Sequence, residues 1–103
     1  FEFNKRGGVG IISVTANIAP KLCSDFQKFS KSNSDNEIKE AERNDALLQP
    51  LHKALFIESN PAPVKYVAKL LGLCSDDVRL PLVKIQESTK EKVKEALLSA
   101  KLL

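Results

Sequence analysis

Apolar positions change their period along this chain. Val9 to Val14, "VGIISV", is a continuous run rich in β-branched residues, set between a glycine turn and the polar turn "TAN". A short apolar run without alternation predicts a strand covered on both faces rather than an edge strand with one wet face. From Pro20 the spacing becomes helical. Leu22, Phe26 and Phe29 recur at i, i+4 and i+7, and Pro20 suits a first helical turn, where its missing N–H has no partner to lose. The polar stretch "KSNSDN" follows, and Ser34 with Glu37 forms a capping-box pattern for a second helix running to about Phe56. Along it Ile38, Ala41, Leu48, Leu51 and Leu55 share one face, while Lys39, Glu40, Arg43 and Asn44 occupy the other. Pro50 lies inside this pattern. An internal proline removes one backbone hydrogen bond and crowds the preceding turn at a cost of about 3 kcal/mol, so a kink or break is expected, and the apolar pattern continuing past it favours the kink.

A third helix is predicted in "ESNPAPVKYVAKLLG": Asn60 as cap, prolines at the first and third helical positions, Val64, Val67, Ala68 and Leu71 on one face, and Gly72 as terminator. "DDVRLPLVKI" is apolar and β-branched, but Pro81 in its middle argues for an extended, unpaired connector. The last segment, "STKEKVKEALLSAKLL", places Ser88 and Glu91 as a second capping box ahead of Val93, Ala96, Leu97 and Ala100. One strand and four helices result. A single strand cannot satisfy its own buried N–H and C=O groups, so its partners are expected outside this sequence. Strand followed by helix is the repeating unit of α/β folds, and here it occurs once before helices take over, as at the end of a larger α/β protein.

Composition sharpens this picture in three ways. A chain of 103 residues holds one domain or part of one, and it contains no methionine, which points to a processed, trimmed or partial product. The net charge of +3 is small and its charges are scattered in sign, which gives no electrostatic case for nucleic acid. Cys23 and Cys74 lie far apart with no CxxC spacing and no histidine cluster, so a reduced, cytosolic protein without structural metal is expected. No apolar run is long enough for a bilayer, and "FEFNKR" lacks the apolar segment of a secretory signal.

Three blocks, "GGVGIISVTANIAPKLC", "PLHKALFIESNPAPVKYVAKLLGL" and "VRLPL", occur in an order and spacing that resemble the C-terminal part of the dihydrodipicolinate synthase family. The pattern from Leu55 to Lys65 distinguishes this family best from sister pyruvate-dependent aldolases. The resemblance implies an α/β fold, a TIM (β/α)₈ barrel followed by a mostly helical C-terminal region, with the active site at the C-terminal ends of the barrel strands. Residues 1–31 would then be the end of the barrel, its eighth strand and helix, and residues 32–103 the helical region, leaving the fragment itself predominantly α. The seven missing strands would be partners, as would further copies of the parent enzyme in a homo-oligomer, a tetramer by the family's habit. The implied activity is a lyase reaction of lysine and diaminopimelate biosynthesis, in which pyruvate condenses with aspartate semialdehyde through a lysine Schiff base. No cofactor, nucleic acid or membrane is implied. The Schiff-base lysine, the proton-relay tyrosine and threonine, the carboxylate-binding residues and the allosteric lysine site all match upstream family sequence, so no catalytic residue falls here. One position carries over: Ile12, in the eighth-strand "ISV" pattern, would line the lysine–pyruvate adduct. Taken alone, Ile12 reads as core packing.

Other candidates read as structure. His52, the sole histidine, has no acidic or cysteine partners at ligand spacing and reads as a surface or packing residue. Lys65 and Lys69 sit among charged neighbours on a helix, where a lysine keeps its ordinary pKa and forms no imine. Gly7, Gly8 and Gly10 precede no helix and lack a GK[ST] ending, so they mark a turn rather than a phosphate loop. The charged stretches "EIKEAER" and "TKEKVKE" read as solvated helix faces. Two alternatives stay open at this level: a non-catalytic assembly module whose helices bind a full-length homologue, and a fragment of a sister aldolase acting on a sugar acid. The isolated fragment is expected to be poorly soluble, because an apolar unpaired strand invites aggregation.

Overall fold

The computed structural model describes all residues from Phe1 to Leu103. Five α-helices form: α1 (Glu2–Lys5), α2 (Pro20–Phe29), α3 (Asp35–Ala54), α4 (Ala62–Leu70) and α5 (Glu87–Ser99), with one 3₁₀ turn over Thr15–Asn17. Helix α3 is the central element. It packs against α2 on one side and α5 on another, while α4 closes on α5, and the 3₁₀ turn sits against α2, α3 and α4. The molecule is elongated, 45 × 24 × 21 Å with a radius of gyration of 14.7 Å, against about 13 Å for a compact domain of this length.

The core follows the helical spacing. Ala41, Leu48 and Leu51 of α3, Leu55 just beyond it, Val64 and Val67 of α4, and Val93, Ala96 and Leu97 of α5 are buried together with Phe26 of α2 and Ile85 of the last connector. Each large aliphatic side chain buried this way stabilises the fold by about 1.5–3 kcal/mol. Asn44 departs from its assigned polar face and is buried alongside Ala41, Leu48 and Leu51. Pro50 does not break α3, which continues through it to Ala54 with the proline side exposed.

Helix ends show where local signals prevail and where distant groups replace them. Ser34 is the N-cap of α3, but its side chain makes no capping bond. Instead the Ser32 hydroxyl bonds the Glu37 carboxylate and accepts the Ser34 N–H at 3.0 Å. Helix α4 starts one residue later than predicted, after Pro61, and its first turn is closed by Lys65 N–H to the Pro61 carbonyl at 3.0 Å. Gly72, at φ +73°, ends α4 as expected. The bonds from Leu73 N–H to the Ala68 carbonyl (2.8 Å) and Gly72 N–H to the Lys69 carbonyl (3.0 Å) complete that termination, which needs a left-handed residue that glycine supplies without steric cost. At α5 the predicted Ser88–Glu91 box does not form: the helix begins at Glu87 behind Gln86, whose N–H donates to the Glu58 Oε1 at 3.0 Å from a segment far back in the chain. A carboxylate at a helix N-terminus satisfies an orphan donor and opposes the helix dipole, so it displaces a neutral local cap.

The connector between α4 and α5 is unpaired, as predicted, but turns at residues 79–82 through Leu82 N–H to the Arg79 carbonyl at 3.0 Å. It is fastened by charge. Asp76 is buried and its Oδ1 lies 3.1 Å from Lys69 Nζ and 3.0 Å from Lys84 Nζ. Those two ammonium groups, Lys84 foremost, hold its carboxyl down at about 2.

The predicted strand is absent. Residues 8–13 adopt no regular structure, and no backbone–backbone hydrogen bond involves residues 9–13. Val9 is 90% exposed and Ile12 fully so, the reverse of the expected burial. The physical reason is the lack of a neighbouring edge: a helix closes its hydrogen bonds within itself, whereas a strand needs the backbone of another.

Candidate functional site

The segment that was expected to carry chemistry is held at both ends. Upstream, α1 lies on the end of α2: Asn4 Nδ2 donates to Gln27 Oε1 (3.0 Å) and to Ser30 Oγ (2.7 Å), and the Phe1 ring meets the Phe26 ring at 6.5 Å between centroids. Gly7, at φ +89°, and Gly8 then fold the chain back, with Gly8 N–H donating to the Phe3 carbonyl at 2.9 Å. A Cβ at Gly8 would lie 2.3 Å from the Phe3 ring and 2.7 Å from its carbonyl oxygen. This is the turn expected of the glycines.

Downstream, the turn at residues 13–17 is built by its own polar groups. Ser13 Oγ accepts the Ala16 N–H at 3.3 Å, Asn17 Nδ2 donates to the Val14 carbonyl at 3.0 Å, and Asn17 N–H donates to the same carbonyl at 3.1 Å. Thr15 is 1% exposed, and its hydroxyl lies 2.7 Å from Nδ1 of His52 on α3. Either tautomer of a neutral imidazole supports this bond, with the hydroxyl donating to a bare Nδ1 or accepting from an Nδ1–H. Burial pushes the His52 imidazole below its ordinary pKa, against the opposing pull of Asp45, so the ring is neutral at neutral pH. Behind the turn, Ile18 and Ala19 are buried and lead into α2.

Between these anchors stands the one predicted site residue, Ile12. Its side chain points into solvent and touches no group that could act as nucleophile, acid or base, so it can line and shape a site without making bonds. Lys31, at the end of α2, donates to the Val9 carbonyl across the segment. Lys65 donates to the Asp77 carbonyl and Lys69 pairs with Asp76, so both fasten the connector. His52 is packed against the turn rather than free on the surface. Cys23 is buried and Cys74 exposed, both as free thiols, and no group of three or more His, Cys, Asp or Glu side chains gathers at metal-holding distance. No helix is long and apolar enough to cross a membrane.

Sequence reasoning missed the buried Thr15 and the bond it makes to His52. The available signal was a threonine placed between two apolar runs, where a hydroxyl that becomes buried must find a partner. It also missed Glu58, whose carboxyl is held below its usual range by the Thr89 hydroxyl and the Gln86 amide, because neither partner is near it in sequence.

The structure is a helical module that carries one unpaired apolar segment, held at both of its ends. Residues 2–100 match the dihydrodipicolinate synthetase family, to which this chain belongs. It is 70% identical over 102 residues to the 4-hydroxy-tetrahydrodipicolinate synthase of Pelagibacter ubique, an overlap of 99% of this chain and 35% of the relative. The dihydrodipicolinate synthase of Thermotoga maritima superposes with a TM-score of 0.90 at 36% identity, covering 99% of this chain and 34% of that one. A chloride-inhibited dihydrodipicolinate synthase of Acinetobacter baumannii, solved in complex with pyruvate, superposes with a TM-score of 0.79 at 38% identity over 91% of this chain and 31% of that one. These structural neighbours are TIM barrels. The chain thus spans about a third of the length of the relatives it matches.

Proposed function

We propose that this chain is the C-terminal third of an enzyme that condenses pyruvate with aspartate semialdehyde through a lysine Schiff base, giving 4-hydroxy-tetrahydrodipicolinate for diaminopimelate and lysine synthesis in the cytoplasm. The observation that carries this reading is the 70% identity, sustained across 99% of the chain, to a relative of that activity. Residues 1–31 supply the eighth strand and helix of the barrel, and residues 32–103 the appended helical region. Val9 to Val14 becomes a strand when the first and seventh strands of the barrel flank it, which explains both its apolar sequence and its exposure here. Ile12 then lines the lysine–pyruvate adduct. The imine-forming lysine sits on the sixth strand of the preceding part, so residues 1–103 alone form no pyruvate imine. The assembled enzyme is a homo-oligomer, a dimer of dimers.

The test is to co-produce this chain with the part of the Pelagibacter ubique relative that precedes the matched stretch. The purified complex is then assayed for condensation of pyruvate with aspartate semialdehyde and, separately, with sugar-acid aldehydes. Borohydride reduction with pyruvate should add one pyruvate-derived mass to the N-terminal piece and none to this chain. Turnover of aspartate semialdehyde supports the reading. Preference for a sugar-acid aldehyde would move the chain to a sister aldolase, and stable association without any imine would leave it an assembly module.

A further inference from the structure

The hydrogen bond between Thr15 and His52 joins the two parts of the molecule that matter most to each other: the turn that ends the Ile12 segment, and the long central helix of the appended region. The two residues are 37 positions apart in sequence. Thr15 opens the 3₁₀ turn and is almost wholly enclosed. Within the turn the hydrogen bonds are local, Ser13 to Ala16, Asn17 to Val14, and the Ile18 and Ala19 amides to the Thr15 carbonyl at 3.1 and 2.9 Å, while Ser13 also bonds the Cys23 thiol of α2. These bonds make residues 13–17 one rigid unit, and Ile12 is attached directly to its leading edge. Packing of Val14, Ala16, Ile18 and Ala19 and the Ser13–Cys23 contact hold the turn to α2, and fixing its orientation relative to the appended region needs a contact from α3. The contact from the Thr15 hydroxyl to the ring of His52, 2.7 Å long, does this from α3, an element whose own position is set by Ala41, Leu48 and Leu51 in the core.

We propose that His52 is a positioning residue for the substrate-lining segment: it holds Thr15, and through the 13–17 turn it sets where Ile12 stands in the pyruvate site. This rests on the reading of Ile12 given above. The function is one of placement, because no atom of His52 reaches Ile12 or a reacting group. Removing the ring leaves a buried hydroxyl without its partner, and the turn is then free to shift toward any alternative acceptor. The half-buried imidazole, whose pKa desolvation lowers, supports the same role, since the neutral ring retains a lone pair or a single N–H at Nδ1 for the bond.

Four variants test this: His52→Leu and Thr15→Val, which remove the bond, and His52→Asn and Thr15→Ser, which keep a polar atom near the same place. In the 103-residue chain, amide exchange at Asn17 and Ile18 should quicken about three- to tenfold in the first pair, the factor expected for loss of one net hydrogen bond. Amides of Val67 and Leu97 should change far less, and the second pair should stay near the parent. In the reconstituted complex the first pair should raise the KM for pyruvate by about three- to tenfold, on the same basis, with kcat per active site little changed, and the second pair should restore it. Unchanged pyruvate KM in both His52→Leu and Thr15→Val would overturn the proposal even if melting temperature fell, since that pattern belongs to simple stability. Should His52→Leu fail to fold, the near-isosteric Thr15→Val decides by the same criteria. An inactive parent complex would count against the proposed function rather than against this bond, and the exchange experiment would then settle the anchoring alone: unchanged exchange at Asn17 and Ile18 would overturn it.

Discussion

Val93, Ala96 and Leu97 of α5 and Val9, Ile11 and Ile12 near the start are chemically alike, yet the first set is buried and the second lies exposed. Hydrophobicity alone therefore does not decide what is inside. A helix satisfies its backbone internally and needs only a surface on which to lay its apolar stripe, which α3 provides for α5. A strand must first find the N–H and C=O groups of a neighbour, and burying it without them would strand polar groups in the core. The helical region accordingly completes itself, while residues 9–13 adopt no regular structure and find no backbone partner.

The largest effect should separate the two regions most cleanly. Leu97→Ala is expected to destabilise the chain by about 2–5 kcal/mol through lost burial and a cavity, whereas Ile12→Ala should change stability by less than about 0.5 kcal/mol; urea unfolding measures both. Equal losses would break the comparison. Acid provides the next test. The unfolded Asp76 carboxyl has an ordinary value of 3.8 and the folded one about 2, so its contribution is complete above about 4 and disappears as pH falls toward about 2. Asp76→Asn should remove that part of the acid transition in a pH series of thermal melts. His52 acts in the same sense at milder pH: its folded pKa lies below the ordinary 6.5, so the unfolded chain binds the proton first and stability declines as pH drops through that value.

Smaller effects sharpen the account locally. Glu58→Gln keeps an acceptor for the Gln86 amide but loses the charge, and should quicken exchange at Gln86 while lowering the melting temperature less than Leu97→Ala does. Gly8→Ala forces a Cβ onto the Phe3 carbonyl. It should open the turn after α1, seen as faster exchange at Gly7 and at the substituted position, with the α3 to α5 core unaffected.

Helix positions were legible in the sequence because their determinants are local. Leu48 and Leu51, or Val93 and Leu97, announce a buried face through spacing alone, and Gly72 announces a stop through its backbone freedom. What escaped depended on distant partners. The cap of α5 is Glu58, 28 residues before Gln86, so Ser88 and Glu91 made a plausible box that the fold did not use. Thr15 and His52 are polar residues whose pairing exists only after the turn docks on α3. Asn44 was assigned to the wet face of α3 because spacing does not reveal how the other helices pack around it. The predicted strand is the extreme case: residues 9–14 carry the apolar pattern of one, yet residues 9–13 find no backbone partner among the 103 residues.

Hydrogen–deuterium exchange of a peptide spanning residues 9–14, measured in this chain alone and in complex with the N-terminal part of the Pelagibacter ubique relative, tests the central claim most directly. The account predicts exchange near the unprotected rate in the chain alone and strong slowing in the complex, while peptides from α3 and α5 are protected in both states. Protection of residues 9–14 in the isolated monomer, or free exchange there in a complex that turns over substrate, would contradict it.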